Sequence, residues 1–162
     1  MSFFTNIGEV LKHAGESAES SYHKFVNKPQ AKALMATCAL IAAASDGISK
    51  EEEQATLDLI NNSKMLKDFN RKELVGYFQE YIASLNKSAT FGKIECLEDI
   101  GKMKGKAGAD IMLMHVGLVI GDAKPDKSGI TADETKMMFA VAGALGLDAK
   151  AFGLVMPEVV AK

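Results

Sequence analysis

Carboxylates gather at two places in this chain, each where an apolar run stops. The run ending at Ala44 gives way to Ser45-Asp46-Gly47-Ile48-Ser49-Lys50-Glu51-Glu52. The run over 110–120 gives way to Gly121-Asp122, a segment carrying Asp126, and then Gly129-Ile130-Thr131-Ala132-Asp133-Glu134. Both contain Gly-Ile-(Ser/Thr)-x-x-Glu, and Gly47 and Gly129 stand 82 positions apart. Oxygen-rich sets of this kind suit hard cations such as Ca²⁺ or Mg²⁺, which collect carboxylate and backbone carbonyl ligands. The same residues also have a simpler use. Ser or Thr with Glu three positions on forms a capping box, and acidic groups in a first turn complement the helix dipole. The candidate site is therefore Asp46, Glu52, Asp122, Asp126 and Glu134, read either as a divalent-cation site or as an acidic face for a basic partner surface.

An EF-hand is excluded by position. With Asp46-Gly47 as loop positions five and six, positions one and three are Ala42 and Ala44. Starting at Asp122, position three is Lys124 and position six is Lys127, where the EF-hand needs an oxygen ligand and a glycine. A cation would have to draw ligands from both loops, brought together by the fold.

Other chemistries find little support. Cys38 sits among Leu34, Met35, Leu40 and Ile41, as a packed core thiol does. Cys96 lies between Glu95 and Glu98, whose charges disfavour a thiolate. Each of the three histidines is isolated, so no zinc motif exists, and His115 within an apolar run reads as a core or boundary residue. Nothing matches a phosphate loop. The net charge of −2 and pI near 5.9 argue against nucleic-acid binding. The absence of a long uncharged apolar run argues against a membrane span, and two unpaired thiols fit a reducing cytoplasm. No catalytic cofactor is expected. The chain reads as a non-enzyme.

These residues need helices to position them. Helix formers dominate and no β-branched run alternates over five residues, which makes the fold class all-α: one compact bundle of about seven helices. Helices are expected over 30–44, 50–63, from the Asn70/Glu73 pair through Leu85, over 90–104, over 111–120, from Thr131 to Gly146, and briefly after Asp148. In the helix over 90–104, Phe91, Ile94, Leu97 and Ile100 share one stripe. Met112, Met114, Met137 and Met138 read as core filler rather than a partner surface. An N-terminal amphipathic or flexible segment (1–28) carries Phe3, Phe4, Ile7 and Leu11 at helical spacing and would add an eighth helix. The helical domain spans 29–156 and a tail 157–162.

The stretch Ala42-Ala43-Ala44-Ser45-Asp46-Gly47-Ile48-Ser49-Lys50-Glu51-Glu52 resembles the signature loop of the bacterial tellurite-resistance family TerB. Gly92-Lys93-Ile94-Glu95-Cys96-Leu97, the closing Leu145-Gly146-Leu147-Asp148-Ala149-Lys150-Ala151-Phe152-Gly153-Leu154 and the opening Met1-Ser2-Phe3-Phe4 resemble the same family, so the likeness covers nearly the whole chain. A relative of this domain occurs in a membrane-anchored DnaJ-like co-chaperone. The resemblance implies a cytoplasmic, non-enzymatic helical domain of a tellurite and general stress resistance system, associated with a TerC-like membrane protein and so peripheral to the inner membrane. Asp46 and Glu52 match the family's acidic loop. The second loop departs from it, with Ser128-Gly129 in place of Asp-Gly and an insertion around Lys124-Pro125. The function expected is that of an adaptor or sensor whose acidic loop face binds a divalent cation (Ca²⁺ or Mg²⁺) or a basic partner, with weak self-association left open. The alternative is a metal-independent interaction module docking on a membrane-associated complex through its N-terminal helix or a methionine patch.

Overall fold

Helix after helix in this chain begins where a short polar side chain reaches an amide just ahead of it, which satisfies one of the donors a helix start leaves open. Asn70 Oδ1 accepts from Glu73 N at 3.1 Å, Ser88 Oγ from Phe91 N at 3.3 Å, and Thr131 Oγ1 from Glu134 N at 3.1 Å. The computed structural model describes residues 28–44, 48, 50–63, 66–106, 108–122 and 129–157, with the backbone alone at Glu52. Its elements are α1 (Lys28–Ala42), α2 (Lys50–Asn62), α3 (Arg71–Lys87), α4 (Ala89–Gly101), α5 (Ala109–Asp122), α6 (Ala132–Leu145) and a 3-10 turn (Ala149–Phe152). No strand occurs among the described residues, so the all-α expectation holds. The last short helix proves to be the 3-10 turn. Residues 1–27 of the N-terminal segment and residues 158–162 of the tail lie outside the described residues.

α1 is the centre of the bundle. It is buried from Ala33 through Ala42 and packs on α3, α4, α5 and α6, with a lighter contact to α2. Its neighbour α5 approaches through two glycines. A Cβ at Gly117 would come 3.2 Å from Thr37 Cγ2 and 2.7 Å from Met138 Sδ, and one at Gly121 would come 3.3 Å from Ile41 Cγ2. Thr37 meets Gly117 and Ile41 meets Gly121, so α1 and α5 run parallel in register, 80 positions apart. The loop signatures are 82 apart. The two-residue difference is the length by which the second loop exceeds the first.

α3 and α4 form a tight helical hairpin around Ser88. Its backbone N–H donates to Ser84 O at 3.0 Å, closing α3, while its hydroxyl caps α4. Gly92 lets α4 lie directly on α3, since a Cβ there would sit 2.7 Å from the Leu85 Cα. This close approach splits the apolar stripe expected on α4. The inward face is Gly92, Cys96, Asp99 and Ile100, whereas Phe91 is 74% exposed and Ile94 48%. The methionine expectation holds, with Met112, Met114 and Met138 buried and Met137 half-buried. No described helix is long and apolar enough to cross a membrane.

Candidate functional site

The parallel seam decides where the acidic loops leave the bundle. α1 ends at Ala42 and α5 at Asp122, and the Ile41–Gly121 contact puts these two ends side by side. Both loops of the repeat therefore depart from one end of the molecule. The repeat is also visible in how the loops re-enter. Ile48 and Ile130 hold equivalent positions in Gly-Ile-(Ser/Thr), and both are half-buried against the core. Ile130 reaches the Gly121 surface, 3.3 Å from where its Cβ would be.

Asp122, at the end of α5, is 9% exposed. Its Oδ1 lies 3.9 Å from the Cβ position of Gly129, whose φ of 78° favours glycine. Glu134 is 1% exposed and completes the capping box, its Oε1 accepting from Thr131 N at 2.8 Å. Thr135 Oγ1 donates to Thr131 O at 2.9 Å and tightens the same turn. Two of the five candidate residues, Asp122 and Glu134, thus flank the turn at 129–131. One carboxylate oxygen of Glu134 serves as a cap. Asp46, Asp126 and the Glu52 side chain lie outside the described residues. Among the described residues no group of three His, Cys, Asp or Glu is placed to hold a metal.

A second polar cluster was not foreseen in the sequence. The buried Tyr81 hydroxyl of α3 donates to Asp99 Oδ2 of α4 at 2.5 Å, and Lys102 Nζ donates to Asp99 Oδ1 at 2.9 Å. Lys32 Nζ on α1 stands 4.0 Å from Asp99 Oδ2. Burial works against the Asp99 charge, yet the hydrogen bonds from Tyr81 and Lys102 outweigh it and hold this carboxyl below its ordinary pKa. Burial first, then the hydrogen bond to Asp99, pushes the Tyr81 phenol far up. The cluster ties three helices together. The i,i+3 spacing of Asp99 and Lys102 was legible, but a tyrosine 18 positions away leaves no local signal.

Burial pushes the Cys38 thiol up to about 12. Burial, with Glu95 and Asp99 adding to it, pushes Cys96 up to about 12. Both remain protonated at neutral pH.

The family model described as "Tellurite resistance protein TerB" matches residues 31–156. A tellurium resistance protein TerB from Alcaligenes sp is 30% identical over 118 residues, which cover 73% of this chain and 97% of that protein. No solved structure matches the chain. The match takes in every described helix, although it starts inside α1, and it includes the seam, the capping box and the C-terminal turn. The chain belongs to the TerB tellurite resistance family.

Proposed function

We propose that this protein serves tellurite and general stress resistance as a non-catalytic adaptor or sensor. It acts in the cytoplasm, peripheral to the inner membrane through protein partners that include a TerC-like membrane protein. Its working face is the end of the bundle where the two loops leave, and this face binds a divalent cation, Ca²⁺ or Mg²⁺. The observation supporting this is the parallel α1–α5 seam. It sets the two loop exits side by side and leaves Asp122 and Glu134 flanking the turn at 129–131. Carboxylates from separate loops can then converge on one ion, as hard cations require.

Thermal melting of the chelator-stripped protein tests this. Saturating Ca²⁺ or Mg²⁺, about a hundredfold above Kd, stabilises the native state by about 2.7 kcal/mol, a rise in Tm of roughly 5 °C or more. The pair Asp46→Asn with Asp126→Asn abolishes the rise. No rise with either ion overturns the cation reading, and an undiminished rise in the double variant places the site elsewhere.

A second reading is favoured by Phe91 and Ile94, which stand exposed on α4 where a solvated helix face carries polar groups. In it the chain docks on a membrane-associated complex without metal. Phe91→Ser with Ile94→Ser then removes resistance in cells at unchanged Tm, while the loop aspartates are dispensable. Thiol chemistry on tellurium oxyanions is disfavoured, because both thiols are buried and protonated. Rapid labelling of either one in native protein at neutral pH would reopen it.

A further inference from the structure

The C-terminal turn rests on a histidine. His115, in the middle of α5, is 7% exposed and meets the Phe152 ring edge-on, with centroids 5.5 Å apart and planes at 70°. Its Nδ1 is buried without a hydrogen-bond partner. A neutral imidazole can tolerate this by keeping its proton on Nε2 and leaving a bare lone pair at Nδ1. An imidazolium cannot, because it would drive a charged N–H into a contact that offers no acceptor.

Among the described residues no charged side chain on the packed elements is set against His115, Asp122 standing at the far end of α5 beside Gly129. α5 packs on α1, α2 and α6, and the turn reaches it through Phe152. On α1, Lys32 faces Asp99. On α2, Asp58 accepts from Gln54, and Glu51 and Glu53 are exposed. On α6, Glu134 serves the Thr131 amide, and Asp133 and Lys136 are exposed. Asp110 on α5 accepts from the Ile111 amide. In the turn, Asp148 accepts from the Lys150 amide, and the Lys150 side chain is exposed. Burial alone holds His115 below its ordinary pKa of 6.5.

The turn is the lightest element of the fold. It packs on α6 and meets α5 through Phe152, and it is held by buried Ala149 and Leu154, half-buried Phe152, and two backbone bonds of 3.0 Å, Ala151 N to Asp148 O and Gly153 N to Lys150 O. Elements with few buried groups open at the lowest local free energy. Beyond it, Val155 is 78% and Met156 46% exposed.

We propose that His115 is an acid-sensitive latch: its protonation undocks residues 148–157 from α5 while the helical bundle stays folded. Undocking joins the apolar ground beneath Phe152 and Leu154 to the already exposed Val155 and Met156. The latch does not depend on cation binding. In sign, a group whose packed-state pKa is lowered stabilises the packed state fully above its free value. That stability is lost as pH falls below about 6.5 toward the packed-state value. The undocked fraction therefore grows by up to about tenfold per pH unit in that interval.

NMR of the full chain between pH 7.5 and 5.0 tests it. The His115 Cε1 proton titrates below 6.5, and the amides of 151–154 move toward coil positions with the same midpoint. The Gly146 amide at the end of α6 stays in place. His115→Phe removes the pH dependence of the turn. Phe152→Ala raises the His115 midpoint toward its free value, and this arm decides alone if His115→Phe does not fold. Static turn amides while His115 titrates overturn the latch, and so does an unchanged midpoint in Phe152→Ala. Movement of α5, α6 and turn amides together overturns it too, because that is general unfolding.

Discussion

After the first loop of the repeat, α2 meets its neighbours lightly. Among its described side chains Thr56 and Ile60 are buried, and its contacts with α3, α5 and α1 are sparse. After the second loop, α6 buries Glu134, Thr135, Met138, Val141, Ala142 and Leu145 and packs on α4, α5, α1 and the turn. The helices that precede the loops do not differ in this way, since α1 and α5 are buried along most of their length and lie against each other in register. Repeating a sequence signature thus returns an isoleucine, Ile48 or Ile130, to the core ahead of each helix. What the helix then rests on depends on which neighbours the rest of the chain supplies. Here the shared inner pair is the scaffold, and the outer pair is where the two halves differ.

The comparison can be broken most forcefully at the inner pair. Gly117→Val and Gly121→Val should each destabilise by about 3 kcal/mol, since extra methyl groups must displace Thr37, Ile41 or Met138 in a close-packed core. Gly76→Ala and Gly143→Ala add a Cβ where nothing lies within 4 Å. They should be neutral or stabilise by up to about 1 kcal/mol through helix propensity. Urea denaturation separates the pairs, and a loss under 1 kcal/mol at Gly117 would mean that the seam is not close-packed.

The fastening at the start of α1 should fail with acid. Because Asp99 is held below its ordinary pKa, its contribution is present above about pH 4 and is lost as pH falls through the folded-state value. Tyr81→Phe removes one donor to that carboxylate and should cost about 1–2 kcal/mol at pH 7, with a weaker dependence on pH below 4. An acid limb identical to that of the unmodified protein would show that the Tyr81 bond does not set the Asp99 titration.

The smallest effect sharpens the outer pair. Glu134→Ala removes a buried cap and should cost about 1 to 2 kcal/mol. Glu53→Ala, on an exposed face of α2, should stay within about 0.5 kcal/mol. Equal losses would contradict the contrast between α2 and α6.

Much of this architecture was legible in residue types. The caps at Asn70 and Thr131, the helix end at Gly146 and the start of the last element at Asp148 all follow from short-range hydrogen bonding, and each is found. Gly146 has a φ of 69°, the left-handed conformation that ends α6. The repeat was also legible, and the structure adds the register that brings its halves together. What escaped depends on distant partners. Phe91 and Ile94 fit a helical stripe as well as Cys96 and Ile100 do, and periodicity cannot rank two faces of one helix. The choice was made by Gly92, which admits Leu85 of α3, and by Asp99, which needs Tyr81. Of the candidate site, Asp122 and Glu134 were placed at one turn, and Glu134 proved to be a cap as well as a candidate ligand.

Ser88 has a consequence for the order in which the chain assembles. By ending α3 and starting α4 with one residue, it lets the two helices meet across a short span, so their contacts close small loops. The α1–α5 seam joins residues 80 positions apart. Loop closure costs about 0.6 kcal/mol more with each doubling of length, so the hairpin is favoured as the folding nucleus and the seam is set after it. A destabilising Ser88→Ala should then slow folding, and Gly121→Ala should mainly hasten unfolding, which stopped-flow chevrons of the two variants would resolve. The two halves of the repeat would find each other only after the hairpin between them has formed.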